Sequence, residues 1–269
     1  MEIAEEGRGV NLGALLKSGT FSDLQLSCEG RDFAVHKAIL CSQSRVISAE
    51  CEGNFEESRT NVIKIEEFNA ETVHAMLEFL YCGDYSVTPS HNESKYLDPR
   101  LDVSAQAGEN GDEVSRMNEF FDSVAAVTKQ RLSTHLYANA IGDYYDIQPL
   151  CTLARSKVKR EFEEHWHLDN FTHLLRETCQ TRKTGDIEFH RLLGQIAVEH
   201  PDDSAWLEAV EAEGLDIPLS VTTSFVGSCI DRVRHLDRKL RDQALTIDVL
   251  EGELMKERNP PPWLRRRPE

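Results

Sequence analysis

No apolar run in this chain approaches the roughly 20 residues a helix needs to cross a bilayer. The opening stretch, MEIAEEGRGV, is acidic where a secretory leader carries basic and then apolar residues. That pattern is expected of a protein retained inside the cell, in the cytoplasm, the nucleus or both. None of the seven cysteines (28, 41, 51, 82, 151, 179 and 229) forms a C-x-x-C pair with another. Scattered thiols without ligand spacing read as reduced and mostly buried, so neither a metal nor a disulfide is expected. The chain also lacks a P-loop, a G-x-S-x-G elbow, an H-E-x-x-H helix and a dinucleotide fingerprint, and is read as non-enzymatic and without a cofactor. Positive charge is scarce: 30 Lys and Arg stand against 47 Asp and Glu, a net charge of −17. Such a field opposes general binding to nucleic acid or to an anionic membrane. The arginine run 265–267, in the Pro-rich end NPPPWLRRRPE, reads as a solvated tail (259–269) or a short nuclear-import signal.

What is present is periodic. SDLQLSC (22–28) alternates, with Leu24, Leu26 and Cys28 on one face, and EGRD turns it into FAVH (33–36), a β-hairpin. Residues 37–51 place Ile39, Leu40, Val46 and Ile47 at helical spacing, although their serines can divide the stretch into two short helices. NVIKI (61–65) is a third strand, and Asn69 caps a helix whose inner face is Val73, Met76, Leu77 and Leu80. Periodicity stops across 88–112, an acidic, Pro-, Ser- and Gly-containing insert that suits a loosely held loop. Helical texture then returns to residue 146, continues over 149–166, and recurs near 169–179, 186–200 and 203–212. Strands first and helices afterwards indicate an α+β class.

Three segments carry a resemblance. GTFSDLQLSCEGRDFAVHKAILCSQS, NFEESRTNVIKIEEFNAETVHAMLEFLYCGDY and ANAIGDYYDIQPLCTLARSKVKREF resemble, in this order, one BTB/POZ domain. It is expected over residues 1–166, with a helical extension at 167–215 similar to the helices that follow BTB domains in fungal proteins. The resemblance implies a small sheet surrounded by helices, often dimeric, with no catalysis of its own. It further implies an interaction adaptor or scaffold, serving either a cullin-type ubiquitin ligase or a nuclear, transcription- or chromatin-linked assembly. The expected partners are a second copy, a cullin or another BTB protein. In the family, Asp23 of F-S-D and the basic residue after the hairpin histidine form a charged pocket, here Asp23, His36 and Lys37. The same groups can instead simply lock the hairpin against the helices. Cullin adaptors carry an apolar-x-acid triplet before the third strand, which Phe55 and Glu57 match; Phe55 can equally fold back onto the core. The family dimer face would use Leu12, Leu15 and Leu16.

Two further patterns lie outside those motifs. In EEHWHLDNFTH, His165 and His167 are two apart on a helix and face different ways, so they cannot share an ion; Trp166 reads as core. Val226, Cys229, Val233, Leu236, Leu240, Gln243, Ile247, Leu250 and Leu254 alternate spacings of three and four. This seam within 222–258 is either a coiled coil that builds a homodimer or one face of a helix docked on its own chain.

Overall fold

The computed structural model describes residues 12–53, 56–87, 112–181, 185–200 and 219–258, together with 208, 211 and 217; the side chains of 112–125, 181 and 256–258 are not among them. After helix α1 (Leu12–Ser18) come β1 (Leu24–Cys28) and β2 (Arg31–Val35). Glu29 and Gly30 turn the hairpin in the left-handed region, with φ 51° and 76°. Glycine enters that conformation without the Cβ clash that glutamate must bear. The antiparallel register sets Leu24 opposite Val35 and Leu26 opposite Phe33, so alternate residues of both strands fill one buried face. Strand β3 (Val62–Lys64) adds in parallel on the other side of β1, with Leu26 against Ile63. The sheet order is β2-β1-β3.

The apolar stretch after the hairpin does divide. Helix α2 (Lys37–Leu40) ends before a turn, and α3 (Arg45–Glu52) starts from Ser44, whose hydroxyl accepts the Ile47 N–H at 3.1 Å. The same hydroxyl donates to the Tyr145 carbonyl at 2.6 Å in a buried bond. A single side chain thus caps one helix and holds the end of another. Helix α4 (Glu56–Thr60) precedes β3, and α5 (Ala70–Cys82) follows it. Asn69 caps α5 through the Thr72 N–H at 2.8 Å, and Gly83 (φ 76°) closes it. Buried along α5 are the expected Val73, Met76, Leu77 and Leu80.

Helix α6 (Asp112–Tyr144) is continuous over 33 residues. Asp146, left-handed at φ 54°, and Pro149 in the first turn then set up α7 (Gln148–Glu164). Helices α8 (Leu168–Thr181), α9 (Ile187–Glu199) and α10 (Leu219–Arg258) complete the described elements. Apolar side chains gather into two cores. The first packs the sheet, α5 and the inner residues Ala138, Ile141, Leu150 and Ala154 of α6 and α7. The second takes Leu132 and Leu136 from α6 and Val158 and Phe162 from α7, and packs them on α8, α9 and Val221 of α10. Helices α6 and α7 therefore belong to both cores. Each fully buried Leu or Met removes about 1.5–3 kcal/mol worth of apolar surface from water, and Leu26, Leu40, Met76, Leu132 and Leu136 are all fully covered.

Helix α10 is about 60 Å long at 1.5 Å per residue for its 40 residues. It begins docked: a Cβ placed on Gly194 of α9 would lie 3.0 Å from the Phe225 backbone, so this glycine lets the two helices touch. From Ile230 to Met255 every side chain is exposed. The expected insert, apart from Asp112, and the tail at 259–269 lie outside the described residues. So does the 203–212 helix, except Glu208 and Glu211, which are helical and exposed.

Candidate interaction site

Asp23, His36 and Lys37 come together at the open end of the hairpin, but they do not pair as charges. Asp23 Oδ1 accepts the backbone N–H of Lys37 at 2.7 Å, which places a carboxylate on the first amide of α2. The Lys37 ammonium turns instead to Asn61 Oδ1 at 2.5 Å. The carboxylate and the ammonium of this charged group thus make two separate hydrogen bonds, because the bend after His36 presents a main-chain donor to the carboxylate. Asn61 precedes β3 in a left-handed conformation (φ 55°), and its carbonyl accepts the Gln25 N–H at 2.9 Å. Lys37 thus ties the helix after β2 to the entrance of β3, across the sheet.

His36 is fixed on both ring nitrogens. Nε2 lies 2.8 Å from the Thr20 carbonyl, which can only accept, so Nε2 carries the proton. Nδ1, 2.7 Å from the Tyr81 hydroxyl, is then the acceptor, and that hydroxyl in turn accepts the His36 backbone N–H at 2.9 Å. Burial, and then the negative charge of Asp23, hold the Tyr81 phenol above its ordinary value against the lowering bond from His36. Tyr81 is the buried hub of the arrangement. The Y-C-G-D-Y motif contains it, yet its partner lies 45 residues upstream and only the fold brings them together. Beside the hub, Phe21 is 87% exposed and left-handed at φ 66°. A non-glycine residue held there bears about 1–3 kcal/mol of strain, and the ring contributes nothing to the core.

The family model for the BTB/POZ domain matches residues 12–104, the span that holds the hairpin, β3, α5 and this hub. Residues 12–104 are a BTB/POZ domain. A mouse TD and POZ domain-containing protein 1-like is 34% identical over 92 residues, which cover 34% of this chain and 25% of that protein. The mouse TD and POZ domain-containing protein 4 is 33% identical over 82 residues, covering 30% and 22%. The chain thus spans about a quarter of the length of the curated relatives it matches. Both are mouse proteins and the model match stops at residue 104, so the fungal likeness expected of the later helices is not shown by them. A BTB/POZ domain is a protein-interaction domain, not a catalytic one, and such domains mediate oligomerisation and the binding of protein partners.

Around the BTB/POZ domain the remaining expected residues separate. Leu12, Leu15 and Leu16 of α1 are half-buried and pack on the domain's own core, largely against α5. Phe55 lies outside the described residues. Glu57 is half-buried in the first turn of α4, and Glu50, half-buried itself, has its carboxyl pushed up by burial and by the Glu57 charge. Cys28, Cys151 and Cys179 are buried, Cys41, Cys51 and Cys229 half-buried, and Cys82 exposed. Among the described residues no group of three His, Cys, Asp or Glu side chains is placed to hold a metal ion, and no described helix is long and apolar enough to cross a membrane. Trp166 does join the second core's edge, between Phe162 and Phe171, and stacks on His200 at 3.7 Å.

Two polar joints fasten α6 and α7, one to α9 and the other to Asp84 and Tyr85 of the BTB/POZ domain. Asp186 caps α9 through the Glu188 N–H at 2.9 Å, accepts from Asn139 Nδ2 of α6 at 2.8 Å, and meets Arg155 of α7. Burial alone would raise the Asp186 carboxyl; the bonds from Asn139 and Arg155 outweigh it and hold the group low. In the other joint, Lys157 Nζ reaches Asp84 at 2.5 Å and the Tyr85 carbonyl at 2.6 Å, and the Tyr85 hydroxyl lies 2.9 Å from His135 Nδ1. Burial, reinforced by the charges of Lys157, Arg131 and Arg160, takes His135 down to about 3, so it is neutral and accepts from the phenol. Neither joint shows an apolar period, and sequence reading passed over both.

Proposed function

We propose that the protein is a non-enzymatic adaptor or scaffold: a BTB/POZ domain that engages a protein partner, carried by a chain that pairs with a second copy through α10. The observation that carries this reading is the bare stripe of α10. Val233 is 66%, Leu240 65%, Ile247 55% and Leu250 58% exposed on a helix that leaves the body of the protein. Apolar area in such a contiguous row marks an interaction surface. The packing of Leu12, Leu15 and Leu16 onto their own domain supports a lesser part for the BTB face in self-association. Sedimentation tests the reading. The full chain is expected as a dimer, and Leu236→Asp with Leu240→Asp as a monomer with unchanged helicity. A monomeric parent would refute it.

The partner class we favour is a cullin, on the resemblance of Phe55 and Glu57 to the adaptor triplet. Copurification of a cullin with the full chain, lost on Phe55→Ala with Glu57→Lys, is the expected result. Chromatin association without a cullin would move the reading to a nuclear scaffold.

A further inference from the structure

The contact by which α10 docks on its own chain is confined to its first turns, and most of the heptad seam lies beyond them. Val221 is buried in the second core, and the close approach of Gly194 falls at Ser224 and Phe225. At 100° per residue, the a positions Val226, Val233 and Leu240 lie about 160–200° round the helix from Ser224 and about 60–100° from Phe225, and the d positions Leu236, Gln243 and Leu250 lie within about 20° of the direction of Phe225. Half-buried positions end at Cys229, so the contact within the chain leaves the seam open from there onward, and Val226 is still 49% exposed although it borders the docked region. Beyond it, Ile230 to Met255 extend for about 39 Å without cover, at 1.5 Å for each of 26 residues.

From this placement we infer that α10 pairs with α10 of a second copy as a two-stranded, parallel, in-register coiled coil, which sets both BTB/POZ domains at the same end of the rod. The inference rests on the self-association proposed above and adds strand number, direction and register. The a positions are Val226, Val233, Leu240, Ile247 and Leu254, and the d positions are Cys229, Leu236, Gln243 and Leu250. β-branched residues at three of the five a positions, with leucine at two of the four d positions, favour two strands in parallel.

The polar residues agree. In register, Gln243 meets its own copy, where one amide can donate to the other. In the antiparallel alignment centred on residues 240 and 243, each Gln243 faces Leu240, and a seam amide loses its partner at a cost. The flanking charges also match. In parallel, Arg232 at g meets Asp237 at e of the partner, and Glu253 at g meets the arginine at 258, so each is an opposite pair and is formed twice. The antiparallel alignment keeps only Arg232 with Glu253. Lys239 and Thr246 at g meet Ala244 and Glu251 at e, and no like charges oppose one another.

Disulfide trapping on the full chain tests this. A Cys82→Ser background removes the one exposed thiol; Leu254→Cys is added, and mild oxidation is followed by peptide mass spectrometry and sedimentation. Parallel pairing yields links from 229 to 229 and from 254 to 254, with a dimer mass, and Cys229→Ser abolishes the first alone. Links from 229 to 254 would show the antiparallel dimer and overturn the inference while leaving self-association standing. A trimer mass, or a dimer that forms neither same-residue link, overturns it equally. A monomer in sedimentation removes the self-association reading itself.

Discussion

Replacing Asp186 with alanine tests how α9 is fastened to α6 and α7. Three losses coincide. The N-cap of α9 gives up its bond to the Glu188 N–H, which costs about 1 kcal/mol. Asn139, fully buried, keeps an amide donor with only the distant Cys151 carbonyl at 3.5 Å; a stranded buried donor costs about 1–3 kcal/mol. Arg155, whose side chain is 20% exposed, loses its carboxylate and can recover part of that loss from water, leaving about 1 kcal/mol. The losses share one carboxylate and do not simply add, so the expected destabilisation is about 3–4 kcal/mol. For a chain of this size that lowers the thermal midpoint by roughly 10 °C. Urea unfolding of the full chain gives the free energy. A cycle with Arg155→Ala gives the coupling, expected at about 1–2 kcal/mol. Asp186→Asn, which keeps a cap oxygen, should lie between. A loss below about 1 kcal/mol for the alanine variant would refute the reasoning. The pH dependence has a definite sign. The folded carboxyl sits below its unfolded value of about 3.9, so its contribution is complete above that pH and is lost as pH falls below it.

Three other outcomes are expected. His135 is held near 3 in the fold and returns to about 6.5 when unfolded, so the unfolded chain takes up the proton first. Stability should therefore fall by about 2 kcal/mol from pH 7 to 5, and His135→Phe should flatten that slope in urea titrations at each pH; an unchanged slope would exclude the histidine. Ser44→Ala removes a helix cap and leaves the buried Tyr145 carbonyl short of a donor, a loss of about 2–3 kcal/mol measurable by thermal melts. Gly194→Ala puts a methyl group 3.0 Å from main-chain atoms of Phe225, which must move. A cost of about 1–3 kcal/mol and faster hydrogen exchange in the first turns of α10 should follow, and wild-type protection there would count against the close contact.

The hairpin, the split after Leu40, the Asn69 cap and the inner face of α5 were legible in the sequence because each rests on a local rule. Two-residue alternation, a serine before a helix and an asparagine three residues before a threonine are all read within a few positions. The seam of α10 was legible for the same reason. What stayed hidden is joined over long intervals by residues with no periodic mark. Tyr81 finds His36 across 45 residues, and Asp186 finds Asn139 across 47. Lys37 meets Asn61 rather than Asp23 because strand order, not chain spacing, decides its neighbour. The docking face of α10 was equally silent, since only Val221 and Phe225 mark it where Ser224 meets a glycine of α9. Phe21 was read only as the first letter of a motif; its exposure comes from a left-handed turn that no pattern announces.

The sharing of α6 and α7 between the two cores also fixes where this chain can be cut. A truncation at residue 166, where the BTB-like motifs run out, would retain Leu132, Leu136, Val158 and Phe162 while removing α8 and α9, which cover them. Four large side chains would then line a single bare face, each forgoing about 1.5–3 kcal/mol of burial. Such a fragment should be sticky and poorly soluble, and its aggregation would say nothing about how the intact protein associates. A cut after α9 and the first turns of α10 keeps that face closed and removes only the free rod. That is the shorter chain in which partner binding by the BTB/POZ domain can be separated from pairing of the helix.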